Sequence, residues 1–234
     1  MNLNERTLVI AAHPDDEVLG CGATMARTVA QGGKVQSVFL ADGESSRFPL
    51  VERESKQVLI KVDSRKAAAN EAAMVLGSLT PKFYNFPDNQ LDTVSLLTLA
   101  KVIEAEIELF RPTRVITHHS TDLNIDHQMV HEAVLVATRP VNNSPVTEIL
   151  FFELPSSTEW RPPTSGAHFA PNLFVEVTDF VEKKFQALGA YEVEMRTFPH
   201  PRSREALEAL MKWRGASSGL HAAESFVIGR SRCL

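Results

Sequence analysis

Apolar positions along this chain alternate between short, dense runs and longer stretches with helical spacing. Thr7 to Ala12 is a compact, partly β-branched run broken by His13-Pro14, the mark of a buried strand that ends in a loop. Leu19 to Ala30 carries Ala, Met and Val at helical spacing and stops at Gly32-Gly33; Lys34 to Leu40 then reads as a second strand closed by Asp42-Gly43. The alternation continues with a helix over Ser64 to Leu76 ended by Gly77, a strand at Lys82 to Phe86, a helix at Leu96 to Phe110 ended by Arg111-Pro112, and a strand at Arg114 to Thr117. Another helix follows Asp126 and runs to Thr138, before Pro140. Beyond it the pattern predicts strands at Thr147 to Leu154 and Leu173 to Val177, helices at Asp179 to Tyr191 and Arg204 to Trp213, and a last strand at Glu224 to Ile228. Strands joined by helix-length connections pair in parallel, so the expected fold is α/β, Rossmann-like and three-layered, with a mostly parallel sheet. The Pro- and Ser-rich stretch Pro155 to Pro171 is longer than most connections in compact domains and reads as a lid or as mobile surface. There is no internal repeat and no low-complexity tract.

The 234 residues, 44% of them hydrophobic, suffice for one substantial core, so a single domain over residues 1–234 is expected. A formal net charge of -5 gives no basic footprint, which argues against a nucleic-acid partner. The N-terminus lacks the features of a secretory signal, and no apolar run approaches the roughly 20 residues of a membrane span. A cytoplasmic protein without a membrane partner is the expectation. The only cysteines, Cys21 and Cys233, form neither a disulfide framework nor a metal pair, so a metal would be held by His, Asp or Glu.

Ligands of open α/β sheets bind beyond the carboxyl ends of the strands. Two motifs fall there. Ala12-His13-Pro14-Asp15-Asp16-Glu17 ends the first strand, and the segment from His118 to His127, with Asn124-Ile125-Asp126-His127 at its end, follows the strand at Arg114 to Thr117 and opens a helix. Taken alone, the acids of the first motif could be a solvated turn capping the next helix. Adjacent carboxylates beside an apolar run repel unless a cation neutralises them, and imidazole with carboxylate oxygen is a natural zinc ligand set. His13, Asp16 and His127 together make three ligands with a fourth position open, the pattern of catalytic zinc.

Other candidates compete with blander readings. Adjacent residues leaving a strand point in opposite directions, so at most one of His118 and His119 reaches the site, and His119 is carried as a substrate contact. His200, in the Pro-flanked Phe198-Pro199-His200-Pro201-Arg202, could be a placed acid or a surface turn. His127 and His131 share the spacing of a metalloprotease helix, but Gln128 cannot serve as its base, and His131 reads as an ordinary helix histidine. Gly20-Cys21-Gly22 lacks the third glycine of a dinucleotide loop; glycine there allows close helix packing, and Cys21 reads as a small buried residue. Arg53, Lys56, Lys61, Arg65 and Lys66 read as a solvated basic face, with Arg65 set apart by its motif position.

The A-H-P-D-D-E motif, the later Asp126-His127 opening a helix, and Ala223-Glu224-Ser225-Phe226 near the C-terminus resemble the PIG-L/LmbE-like deacetylases across essentially the whole chain. The resemblance implies removal of an N-acetyl group from a glucosamine-type small molecule, such as an N-acetylglucosamine conjugate. It places His13, Asp16 and His127 on zinc ligands, Asp15 on the general base, and Asp126 beside the last ligand, where it would orient His127 or a neighbour. Arg65 and Asp88 fall where the family binds sugar. The implied cofactor is Zn2+, with Fe2+ or Mn2+ compatible with the same donors. The family's second motif is often H-x-D-H; here Asn124 replaces the histidine. An amide can donate a hydrogen bond to an oxyanion but cannot supply a proton, which leaves protonated Asp15 or a histidine such as His200 as the acid. Two rival readings are a metal-dependent ester hydrolase and a catalytically inactive sugar-binding protein. A homo-oligomer is compatible with the sequence.

Overall fold

The computed structural model describes residues 5–141, 144–162 and 168–233. Its elements in chain order are β1 (Arg6–Ala11), α1 (Asp16–Ala30), β2 (Lys34–Ala41), α2 (Lys56–Leu76), β3 (Lys82–Phe86), α3 (Leu96–Phe110), β4 (Arg114–His118), α4 (Ile125–Ala137), β5 (Glu148–Phe152), β6 (Leu173–Glu176), α5 (Val181–Ala190), α6 (Arg204–Ala216) and β7 (Ala223–Ser231). They form a single α/β domain around a seven-stranded sheet of order β3-β2-β1-β4-β5-β7-β6. The first five strands are parallel, and β7 runs antiparallel to both β5 and β6. Alternate residues of β1 enter opposite cores. Val9 and Ala11 pack with side chains of α1, α2, α5 and α6, whereas Leu8 and Ile10 pack with those of α3 and α4. The three-layer, mostly parallel α/β expectation describes this sheet.

The chain leaves β1 in one direction toward β2 and β3, and later in the other direction toward β4 and β5. The crevice therefore opens at the carboxyl ends of β1 and β4, where the order reverses. Both sequence motifs leave the sheet at this edge.

Two helices begin earlier than the apolar pattern predicts. Residue 56 rather than 64 opens α2, because Ser55 caps it by accepting a hydrogen bond from the Val58 amide, while Leu59 and Ile60 of its first turns face solvent and break the amphipathic pattern. Residue 16 rather than 19 opens α1, with Asp16 and Glu17 in the first turn, where the helix N-terminus favours negative charge. Asp179 falls in a 3-10 turn that precedes α5. Of the long Pro155 to Pro171 stretch, residues 163–167 lie outside the described residues; Ser157 and Thr158, near its start, are pinned to Asp122, Thr158 Oγ1 donating to Asp122 Oδ2 over 2.8 Å. Among the described residues no helix is long and apolar enough to cross a membrane.

Helix α1 is broken at Cys21, whose φ of -148° is not helical. Gly20 permits the close approach there, since a Cβ would sit 2.5 Å from the Phe152 ring, and buried Cys21 donates its Sγ to the Glu17 carbonyl. A buried ion pair splices the halves. Lys184 Nζ donates to Leu19 O and to Glu224 Oε1, both at 2.7 Å, and the Glu224 carboxylate accepts from the Ala23 and Thr24 amides at 3.1 and 2.7 Å. One partner satisfies the carbonyl end of the first half and the other the amide end of the second. Removing one member of a buried pair strands the other, so Lys184→Met is expected to cost about 3 kcal/mol in urea unfolding. A change below about 1 kcal/mol would show that the pair is not what holds the break.

Candidate active site

The loop leaving β1 turns back on itself between His13 and Asp16. The His13 amide donates to Asp16 Oδ2 at 2.8 Å, and the Asp15 carbonyl accepts from the Val18 and Leu19 amides, so the first turn of α1 forms directly on the motif. Asp15 pays for this turn with a φ of 127°, a region that non-glycine residues enter only when their surroundings hold them there. Its amide donates to Glu17 Oε2 at 3.0 Å, while Tyr191 donates its hydroxyl to Glu17 Oε1 at 2.8 Å. Burial pushes the Glu17 carboxyl up to about 8.

From the other side, α4 opens with Asn124 as its cap, Asn124 Oδ1 accepting from the Asp126 amide at 2.8 Å, and this brings His127 over the motif. Three donor atoms converge. His13 Nδ1, Asp16 Oδ2 and His127 Nε2 stand 3.4 Å from one another on every side. A tetrahedron with corners roughly 2.0–2.1 Å from its centre, the zinc–nitrogen and zinc–oxygen distance, has edges of roughly 3.3–3.4 Å. The set therefore fits a tetrahedral divalent ion with one corner left over.

Each imidazole is turned by a carboxylate on its far nitrogen. His13 Nε2 lies 3.0 Å from both Asp126 Oδ2 and Asp88 Oδ1, so the neutral ring keeps its proton there and presents a lone pair at Nδ1. His127 Nδ1 lies 3.0 Å from Asp122 Oδ1, which leaves Nε2 free in the same way. Carboxylates behind metal-bound histidines fix tautomer and orientation in this manner. Asp126 is itself fixed by the Asn89 and Leu91 amides at 2.7 and 2.9 Å. Desolvation opposes charge on His13, but its hydrogen bonds to Asp126, Asp16 and Asp88 win and hold the imidazole well above its ordinary value. Against the same desolvation, Asp16 and Asp122 raise His127 to about 9. Asp122 is held at about 2, the attraction of His127 outweighing its own burial.

His118, Asp122 and His127 form a second close group, but the His118 and His127 rings are stacked at 4.0 Å and 12°, so their in-plane lone pairs cannot meet at one ion. His118 Nε2 instead accepts from the Ala12 amide at 3.0 Å. Burial, followed by the neighbouring His127 charge, keeps this ring well below its ordinary value.

A family model described as "PIG-L: GlcNAc-PI de-N-acetylase" matches residues 8–138, more than half of the chain. The chain belongs to the PIG-L family. Among curated relatives, the uncharacterized deacetylase YaiS of Escherichia coli K12 is 29% identical over 185 residues, covering 76% of this chain and 85% of the relative. The N,N'-diacetylchitobiose deacetylase of Pyrococcus horikoshii shares the fold at a TM-score of 0.74 and 21% identity, over 97% of this chain and 84% of that one. GalB of Pseudomonas putida KT2440, a 4-carboxy-2-hydroxymuconate hydratase, shares it at 0.69 and 22%, over 98% of both chains. The PIG-L fold thus also carries a reaction other than deacetylation, and the reaction must be argued from the site.

A cavity of about 140 Å³ lies over the three donors, lined among others by Asp15, Arg65, Asp88, Asn124 and Arg202. The Asp15 carboxylate faces it with Oδ2 held 3.0 Å from Nη2 of Arg65 and 3.0 Å from Nη1 of Arg202. Burial raises the Asp15 carboxyl above its ordinary value in spite of both guanidiniums. Arg65 is buried, with every nitrogen engaged: Nε on the Pro14 carbonyl at 2.9 Å, Nη1 on Glu44 and Glu194, and Nη2 on Asp15. Asp88 is equally committed, one oxygen to His13 and the other accepting from the Ser46 amide and hydroxyl. Both residues expected to bind sugar line the cavity, and at the same time they brace Asp15 and His13.

The structure does not bring His119 or His200 to the cavity. His119 Nδ1 pairs with Thr121 Oγ1 at 2.8 Å and its ring packs on Phe151 and Phe169, while His118 takes the inward side. His200 packs on Trp160 and accepts from the Arg202 amide at 3.1 Å, so it supports the residue that does reach the site. His131 binds the His118 carbonyl at 2.9 Å. Asp126 orients His13; the partner of His127 is Asp122, which the sequence reading passed over although it lies inside the second motif. Glu44, Glu194 and Arg202 were also missed, and only Arg202 had a signal, its place in the Pro-flanked loop.

Since His13 and His127 must lose their protons to bind a metal, the apparent zinc affinity is expected to fall as pH drops below the value of about 9 that Asp16 and Asp122 give His127, with net proton release on binding at pH 7. Calorimetric titration of zinc in buffers of different ionisation enthalpy measures that release; fewer than about half a proton would contradict the assigned ligands.

Proposed function

We propose that this PIG-L family protein is a metal-dependent N-deacetylase of an amino-sugar-containing small molecule, with the whole chain forming one catalytic domain. The observation that carries the reading is the equal spacing of the His13, Asp16 and His127 donors beneath a cavity that Asp15 also lines. Zinc is the ion that best suits two imidazoles, one carboxylate and an open corner. The family model, described by a glucosamine de-N-acetylation, and the deacetylase relative support the reaction class.

A divalent ion held by these donors supplies Lewis acidity, bringing the pKa of a water toward about 7. Asp15 takes the proton of the attacking water. Both guanidiniums hold its Oδ2, which leaves Oδ1 for this step, and the burial that raises its carboxyl strengthens it as a base. As the carbonyl carbon becomes tetrahedral, the Asn124 side-chain amide, whose oxygen is committed to capping α4, offers N–H donors to the oxyanion. Protonated Asp15 then returns its proton to the leaving nitrogen, the C–N bond breaks, and free amine and acetate result. Asp126, Asp88 and Asp122 act behind the ligands, keeping both histidines in the binding tautomer.

Release of acetate from a panel of N-acetylated amino sugars tests the activity, with chelation expected to abolish it. In the zinc-loaded protein, Asp15→Asn should retain the metal and lose a factor of about 10²–10⁴ in kcat. Wild-type turnover by that variant on the best substrate would remove Asp15 as the base.

A further inference from the structure

Residues 154–161, which open the long Pro- and Ser-rich stretch, fold into a tight strap whose Ser156 and Ser157 line the catalytic cavity. The Ser157 and Thr158 amides donate to the Leu154 carbonyl at 3.1 and 2.9 Å, and Glu159 Oε1 accepts from the Ser156 amide at 2.6 Å. Three successive hydroxyls then leave the strap in two directions. Ser157 Oγ and Thr158 Oγ1 donate to the two oxygens of Asp122, one each, the second over 2.8 Å, and Asp122 Oδ1 stands 3.0 Å behind His127 Nδ1. Ser156 Oγ accepts instead from Arg202 Nε at 2.7 Å, and Arg202 Nη1 donates to Asp15 Oδ2 at 3.0 Å. A metal donor and the base thus hang on neighbouring residues of one segment. Two features separate this strap from a turn that only closes itself. Ser157 is 6% exposed and its Oγ has no partner but Asp122 among the described residues, so this hydroxyl adds nothing to the closure of the turn. Ser156 has a φ of 70°, a conformation that glycine adopts without strain, and the one side-chain hydrogen bond it makes there among the described residues is the one to Arg202. The loop carrying Arg202 is gripped a second time, since Trp160 packs edge-on to the His200 ring at 5.7 Å and His200 Nδ1 accepts from the Arg202 amide at 3.1 Å.

We propose that Ser156, Ser157 and Thr158 are positioning residues that hold His127 and Asp15 in register, the last two through Asp122 and the first through Arg202. The proposal rests on the deacetylase reading for the role of Asp15, and on the metal assignment alone for the role of Asp122. A carboxylate gripped at both oxygens cannot rotate, so the ring it backs keeps one direction for Nε2. A guanidinium gripped at Nε cannot swing Nη1 away from Asp15. Adjacent residues of one closed turn move together, so loosening either grip loosens the other.

Zinc affinity, measured against a competing chelator, and the visible spectrum of the cobalt-substituted protein read the Asp122 end without any substrate. S157A and T158V should each weaken zinc binding about 10-fold, and T158V should shift the cobalt bands, with T158S restoring both. The Arg202 end is read by the Nε–H NMR resonance of Arg202, assigned by its loss in R202K, and by kcat on an N-acetylated amino sugar at saturating zinc. S156A should move that resonance and lower kcat about 10-fold while leaving zinc affinity unchanged. T158V and S157A should move the same resonance, and S156A/T158V should lose less kcat than the product of the two single losses. Unchanged zinc affinity in S157A and T158V would reduce the hydroxyls to turn closure and overturn the proposal, as would an Arg202 resonance indifferent to both. If no N-acetylated sugar releases acetate while zinc affinity and the Arg202 resonance respond as expected, the deacetylase reading fails and the strap stands. If T158V does not fold, S157A, which removes no contact within the turn, decides both ends.

Discussion

Asp16 is a buried carboxylate with imidazole nitrogens on three sides, and the arrangement of the site follows from the need to keep it there. His13 and His127 stand at 3.4 Å and His118 at 3.5 Å from its Oδ2, while the His13 amide donates to the same oxygen. Burial works against this charge, and the attraction of His127 leads the effects that hold it well below the usual carboxylate range. The three rings come from the two neighbouring parallel strands and the helix that follows the second of them. Pairing of β1 with β4, residue by residue from Thr7 opposite Arg114, is what makes the encounter possible. A single crevice between the strands where the order reverses thus concentrates donor groups that lie 114 residues apart.

Around that centre, carboxylates and imidazoles alternate outward. Asp88, from the loop after β3, and Asp126, from the first turn of α4, meet His13; Asp122, from the loop after β4, meets His127. Those acids are in turn held by amides and hydroxyls, Asp126 by Asn89 and Leu91, Asp88 by Ser46, Asp122 by Ser157 and Thr158. Every connection at the carboxyl edge of the parallel strands contributes one piece. Such mutual satisfaction is what lets so many charges be buried, because each lone member would bear its full desolvation cost.

The parts of this design that are close in sequence were legible in it. Strand β3 and helix α3 begin and end where alternation and terminators place them, and in α3 the apolar spacing coincides with the buried face. The first turns of α2 were hidden because their leucine and isoleucine face water, so capping rather than amphipathicity starts the helix. In the site, the ligand motifs are contiguous stretches of unusual chemistry. Strand parity explains why only one of His118 and His119 could turn inward; it does not say which, and the pairing of β4 settles it for His118. Glu194 reaches the site from a segment with no pattern of its own, and Arg202 from a Pro-flanked loop that does not say what it meets. Their role exists only through contacts spanning the whole chain, 187 residues in the case of Arg202 and Asp15.

Those distant contacts bear on the proposed chemistry. In the proposed reaction, with Asn124 in the second motif, Asp15 has to collect a proton and give it back, so its affinity for the proton must lie between that of an ordinary surface acid and that of the leaving amine. Two guanidiniums on Oδ2 pull it down, and complete burial, together with the neighbouring Asp16 and Glu194 charges, pushes it up; burial leads. Glu194 is shared with Arg47, Arg65 and Arg202, which divides the cations' attention and moderates their pull on Asp15. Strain completes the arrangement. At φ 127° the Asp15 backbone directs the side chain into the wall of arginines rather than along the helix, and the Glu17–Tyr191 hydrogen bond beneath it keeps that conformation from relaxing.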